Sequence, residues 1–178
     1  REVGNILSQS SIPVIRVRAA IIVGTGSASY ELMKSLALNN RFIPFIPEFN
    51  SMCQPVAIRD VIKYLVGVME TPGLSTRIFQ IGGKDVLTYE EMISRFAKIM
   101  NRRIRFVNVS WVPLPVDWMC RIYAYWLHCF ISIPVNITSL LLSSLKTNVV
   151  CEDNEISTIL PFEPLDFMTA VQWAQEKE

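Results

Sequence analysis

From Ala19 to Val23 every residue of the run RAAIIVGTGSASYELMK is apolar, and the run then breaks at Gly24 and Gly26 into a helical pattern. A strand that is apolar at every position is buried on both faces, as in a parallel sheet covered by helices. Strand, glycine turn and helix in that order predict an α/β chain. At 178 residues the length suits one domain, or one with a small appendage. Such a chain buries roughly 70% of the surface it exposes unfolded, so it needs neither a disulfide nor a metal staple.

The turn invites two chemical readings. Gly24-x-Gly26-x-x-Ser29 approximates a dinucleotide-binding loop, and Tyr30-x-x-x-Lys34 has the spacing of a reductase pair. A dinucleotide loop wants a third glycine, where Ser29 stands, and an acidic residue about twenty positions on, closing the next strand. Glu48 is near that distance but lies in a segment broken by Pro44 and Pro47. Tyr30 and Lys34 share a helix face, which would let an ammonium lower a phenol's pKa. A pair of this kind belongs on the helix before the strand, however, and this one follows it. Both features read as decoys on a plain strand-to-helix turn.

Further along, residues 2–9 have helical character, and RFIPFIPEF is an extended edge segment punctuated by its prolines. AIRDVIKYLVGVMETPG predicts a helix with Val61, Ile62, Leu65, Val66 and Met69 inward and Asp60 in its first turn, where a carboxylate favours the dipole. RIFQIGG is a short apolar strand. Thr88 and Glu91 form a capping box that opens the helix LTYEEMISRFAKIM. RRIRFVNVS alternates as a half-exposed strand, NVVCED is a short last strand, and EPLDFMTAVQWAQEKE closes the chain as an amphipathic helix with Pro164 near its start.

Charge and cysteines exclude several partners. The net charge is +1, and the single basic cluster, Arg102, Arg103 and Arg105, suits a solvated turn better than a nucleic-acid footprint. Cys53, Cys120, Cys129 and Cys151 lack CxxC spacing and His128 is the lone histidine, so no metal site is expected and the thiols read as free in a reducing compartment. Asn136-Ile137-Thr138 fits a glycosylation acceptor, but nothing else looks secretory, and the expected location is cytoplasmic. The chain starts Arg1-Glu2-Val3 without Met and reads as part of something longer.

Four segments in order, REVGNILSQSSIPVIRVRAAIIVG, CQPVAIRDVIKYLVGVME, RIFQIGG and LTYEEMI, resemble the later portion of an extended or atypical short-chain dehydrogenase/reductase, of the NAD(P)-dependent epimerase or NmrA-like kind. The resemblance runs over roughly residues 1–100 and, more loosely, 111–178. It implies a partial Rossmann-type parallel sheet over 1–85 and a helix-rich substrate-side region over 86–178. On that map the glycine loop and the catalytic Tyr and Lys lie before Arg1, so this chain holds no catalytic residue. Arg18, Ala19, Ala20, Ile21 and Ile22 would lie beside the nicotinamide. Gly24, Ser27, Ser29, Cys53, Gln54 and Arg59 would edge a substrate cleft. Each of these also reads as ordinary packing.

The resemblance implies a parent that uses NAD or NADP on a small-molecule substrate, with this chain inactive alone and binding no cofactor tightly. The alternative is an NAD(P)-sensing regulatory or protein-interaction module. Residues 111–145 form two aromatic-rich helices split near Pro134. Arg121, His128 and Pro134 interrupt the apolar run, so no membrane span is expected. Trp111, Trp118, Tyr123, Tyr125 and Trp126 would wall a cleft or lid, or serve a homodimer or a membrane-surface contact.

Overall fold

The computed structural model describes residues 12–45, 47–108, 147–153 and 155–177, with Gly4, Ile6, Leu7, Gln9, Trp118, Ile122 and Tyr125 as isolated positions. The N-terminal helix over 2–9, the acceptor Asn136, His128, Cys120, Cys129 and most of the aromatic segment fall largely or wholly outside those residues. Strands β1 (Ile15–Ala19) and β6 (Arg77–Ile81) pair in parallel, Ile15 opposite Arg77 and Ala19 opposite Ile81. β2 (Ile21–Val23) pairs in parallel with β5 (Pro55–Ala57), and β3 (Phe42–Phe45) with β8 (Arg105–Asn108). β4 (Met52–Cys53) and β7 (Leu87–Thr88) run antiparallel. Parallel pairing of strands so far apart in sequence requires crossover connections. Helix α1 (Ala28–Asn39) follows β2, and α2 (Ile58–Glu70) carries the chain from β5 towards β6. This is the α/β architecture that the apolar run and glycine turn announce.

The run Ile15–Val23 is not one doubly buried strand. It bends at Ala20, so β1 and β2 pair in different ladders, and among Ala19 to Val23 only Val23 is fully buried. Side chains of β2 alternate between two cores, as a pleated strand requires. Ile21 and Val23 join a cluster built by α1, α3 (Tyr89–Ile99) and α5 (Phe167–Glu176), with Tyr30, Leu36, Phe96 and Val171 at its heart. Ile22 joins a second cluster, where Val56, Tyr64, Phe79, Ile81 and Ile156 pack between β1, β6, α2 and α4 (Glu155–Ile159).

Caps fix the helix starts. Thr88 Oγ1 accepts the Glu91 N–H at 3.1 Å, and the Glu91 carboxylate accepts the Thr88 N–H at 2.9 Å, completing the box read from sequence. Asp166 accepts the Thr169 N–H at 3.0 Å and starts α5.

Two further expectations are corrected. Helix α2 turns Asp60, Val61, Tyr64 and Val68 inward and leaves Ile62, Leu65, Val66 and Met69 exposed. The reason is polar as much as apolar. Asp60, fully buried, accepts the Leu165 N–H at 2.7 Å, and Gly67 lets Leu160 approach so closely that a Cβ there would lie 2.7 Å from it. Counting apolar residues misses both constraints. The segment NVVCED contributes one parallel bridge, Val149 with Cys53, instead of a strand. Asn148 side-chain and Val149 backbone hydrogen bonds tie it to Met52 and Gln54.

Candidate functional site at the ends of two parallel strands

Because β1 and β6 are parallel neighbours, their carboxyl ends emerge side by side, the place where open α/β sheets receive ligands. A cavity of about 200 Å³ opens there. One wall is Arg18, Ala19 and Ala20, the second is Gln80 and Ile81, and the third is the run Val149 to Cys151. The bend at Ala20 that splits β1 from β2 forms part of this wall, and two alanines in succession leave room for a flat ring. A second cavity of about 220 Å³ shares Gln80, Ile81 and Cys151 and extends past Gln54, Tyr64 and Lys84.

Gln54 ties this region together. Its side-chain amide donates to the Gly83 carbonyl at 2.8 Å and accepts the Cys151 N–H at 3.0 Å, while its own N–H donates to Val149 at 3.0 Å. Gln80 accepts the Glu152 N–H at 3.2 Å. The run 149–152 is therefore held as a wall by two glutamines. Gly83 donates to the Pro55 carbonyl at 3.0 Å, and a Cβ on it would collide with that same oxygen. At the mouth, Lys84 and Glu163 form an ion pair that raises the lysine pKa and lowers the carboxyl's.

The other sequence candidates lie elsewhere. Ile21 and Ile22 pack into the two cores. Gly24 faces α2, and a Cβ there would sit 2.6 Å from Ile58. Ser27 caps α1, accepting the Tyr30 N–H at 3.2 Å and donating to the Ile22 carbonyl at 3.0 Å. Ser29 is half-buried within α1. Cys53 is fully buried, hydrogen-bonded to Tyr89, and burial pushes its thiol up to about 11. Arg59 lies 3.4 Å from the Asp60 carboxylate. Of the aromatic segment, Trp118 and Tyr125 are exposed, while Trp111, Tyr123 and Trp126 lie outside the described residues. Sequence reasoning missed Gln80 and Val149–Cys151. A polar residue inside the apolar RIFQI was the available signal for Gln80; nothing in spacing connects residue 150 to β1.

The glycine turn is built as a turn. Gly26 has φ +80, the left-handed region that favours glycine. The Glu31 carboxylate accepts the Gly26 N–H at 3.4 Å, so the start of α1 carries a negative charge where a phosphate would have to sit. Tyr30 is sealed in the first core with its ring 5.3 Å from Phe96, edge to face. Among the described residues no group of three His, Cys, Asp or Glu is placed to hold a metal, and no helix is long and apolar enough to cross a membrane.

The fold has many solved counterparts. The Escherichia coli NADPH-dependent quinone oxidoreductase superposes over 97% of this chain and 58% of its own length, with a TM-score of 0.73 at 13% identity. A nucleoside-diphosphate-sugar epimerase from Staphylococcus aureus matches over 96% of this chain and 56% of its own, TM-score 0.67 at 14% identity. A Bacillus cereus UDP-glucuronic acid 4-epimerase, solved with NAD and UDP-glucuronic acid, matches over 99% and 50%, TM-score 0.63 at 14% identity. The fold is that of the NAD(P)-dependent epimerases and reductases. One curated protein adds sequence similarity, the NADH dehydrogenase [ubiquinone] 1 alpha subcomplex subunit 9, mitochondrial, of Dictyostelium discoideum. It is 26% identical over 122 residues, which are 67% of this chain and 32% of that protein. The chain thus spans a third of that relative and between half and three fifths of these three structures. No family model matches.

Proposed function

We propose that this chain is the C-terminal portion of an NAD(P)-dependent oxidoreductase- or epimerase-like protein, and that it supplies the nicotinamide-end wall and part of the substrate cleft. The observation that carries this reading is the cavity at the carboxyl ends of β1 and β6, walled by Ala19 and Ala20. What supports the reading is the lining: small side chains on one wall, and Gln80 and the run Val149 to Cys151 on the others. Arg18, Ala19, Ala20 and Gln80 would hold the ring. Bound there, the cofactor supplies hydride transfer; this chain's residues orient the ring and exclude water. Residues 1–85 form the cofactor-side part and 86–178 the substrate-side part of that arrangement.

The start of α1 does not fit a pyrophosphate, because Ser27 caps it and Glu31 opposes an anion. Alone, the chain therefore binds dinucleotide weakly and turns nothing over, since no phosphate anchor or acid–base pair is formed by its described residues. Titrating NADH and NADPH calorimetrically into the 178-residue chain tests this. Dissociation constants of about 1 mM or weaker are expected, about 4 kcal/mol of binding or less; micromolar binding would overturn the reading.

A second reading is favoured by the curated relative, whose name makes it a subunit of an assembly. On that reading the chain serves as a non-catalytic, cofactor-sensing or structural subunit. Hydride turnover by the longer protein would exclude it. The free thiols Cys53 and Cys151 suit a reducing compartment such as the cytoplasm.

A further inference from the structure

The second cavity, of about 220 Å³, is lined by a buried phenol whose hydroxyl the fold leaves unused. Tyr64, on the inner face of α2, is only 3% exposed. Packing holds its ring, 4.6 Å from the centre of the Phe162 ring. Among the described residues its hydroxyl has no hydrogen-bond partner. Burial first, then the charges of Asp60 and Cys151, raise its pKa, so it stays an O–H donor. Buried polar groups are normally satisfied, and a ligand oxygen would satisfy this one.

Charge orders the ligand along the cavity. On the Tyr64 side, the Asp60 carboxylate disfavours a second anion, so the group that meets the hydroxyl is a neutral acceptor. At the mouth, Lys84 offers an ammonium whose partner, Glu163, is 74% exposed. An ion pair so open to water is weak, and another carboxylate can take Glu163's place. Ile81, Ile156 and Pro164 give the cavity apolar lining. Drug-sized ligands fill pockets of about 300–1,000 Å³, so the occupant here is smaller.

We propose that the second cavity binds a short aliphatic oxo acid, its ketone oxygen accepting from the Tyr64 hydroxyl and its carboxylate replacing Glu163 on Lys84. The proposal does not depend on the nicotinamide reading, because Tyr64, Gly83 and Lys84 line this cavity and not the one at Ala19 and Ala20.

Levulinate, a five-carbon oxo acid, titrated into isotope-labelled chain and followed by amide chemical shifts, tests it. Shifts at Gly82, Gly83, Lys84 and Ser157 are expected, with a dissociation constant of about 1 mM. Tyr64→Phe removes the hydroxyl, keeps the packing on Phe162, and should weaken binding about tenfold. Glu163→Gln removes the competing carboxylate and should tighten binding about threefold. Both variants keep their fold, with circular dichroism as the control. Pentanoate, which lacks the ketone, should bind wild type and Tyr64→Phe alike. Methyl propyl ketone, which lacks the carboxylate, should bind wild type and Glu163→Gln alike, and more weakly than levulinate. No shifts, shifts at Ala19 and Ala20 instead, levulinate binding unchanged by Tyr64→Phe, or ketone and oxo acid binding equally well would each overturn the proposal.

Discussion

The backbone N–H of Leu165 donates to Asp60 Oδ2 at 2.7 Å, joining the first turn of α2 to the segment that leads into α5. Arg59 and Lys63 stand 3.4 and 3.6 Å from the other carboxylate oxygen. Asp85 repeats the device two residues on, accepting the Phe167 N–H at 2.8 Å. Two carboxylates thus pin the closing segment of the chain against both cores. Asp60→Ala removes a fully buried carboxylate and leaves the Leu165 N–H, Arg59 and Lys63 without their partner, and is expected to cost about 3 kcal/mol. Asp60→Asn keeps an acceptor and should cost about half as much. Urea unfolding midpoints distinguish the two.

Gly83 lines the second cavity, and a Cβ on it would lie 2.1 Å from the Pro55 carbonyl oxygen. Gly83→Ala is expected to destabilise the chain by about 2 kcal/mol or more, because the new methyl meets the Pro55 carbonyl and backbone must shift. Gly26→Ala removes only a left-handed turn residue with open space around it and should cost about 1 kcal/mol. Thermal melting of both variants checks the order.

Burial, against a smaller opposing hydrogen bond from Tyr89, holds the Cys53 thiol at about 11. At pH 8 roughly one molecule in a thousand carries the thiolate there. Iodoacetamide should therefore leave Cys53 unmodified until the chain unfolds, and peptide mapping across a urea series should show labelling that follows the unfolding curve. Labelling of Cys53 in the native chain would contradict the packing of β4 against α3.

The Asp166 carboxyl is lowered below the ordinary aspartate value by the Thr169 hydroxyl and backbone N–H bonds it accepts. A depressed carboxylate adds stability above the unfolded-state pKa of about 4, and that contribution disappears as pH falls through the lower folded value. Asp166→Asn should flatten the loss of stability as pH falls below about 4 relative to wild type, read as the pH dependence of the melting temperature.

Much of this fold was legible because local chemistry dictated it. The Thr88–Glu91 box, the helix after the Gly24–Gly26 turn and the RIFQI strand are short-range signals, and each stands where the sequence puts it. The face of α2 was not legible, because the deciding contacts come from Leu160 and Leu165, about a hundred positions away. The bend at Ala20 was hidden for a similar reason: the apolar run from Ala19 to Val23 cannot reveal that Ala19 pairs with one strand and Ile21–Val23 with another. At the cavity, Arg18, Ala19 and Ala20 were named from resemblance and lie together on one wall. The facing wall at Val149–Cys151 is brought in by Gln54 and Asn148 hydrogen bonds that no spacing encodes.

Nicotinamide riboside carries the ring without the pyrophosphate that a glycine loop would grip, so it separates the strand-end cavity from the glycine turn. Its titration into isotope-labelled chain, followed by amide chemical shifts at up to about 10 mM, is the decisive measurement. Shifts confined to Ala19, Ala20, Gln80 and Cys151 are expected. Shifts centred on Gly24, Gly26 and Ser27, or no shifts at all, would contradict a nicotinamide site at the ends of β1 and β6.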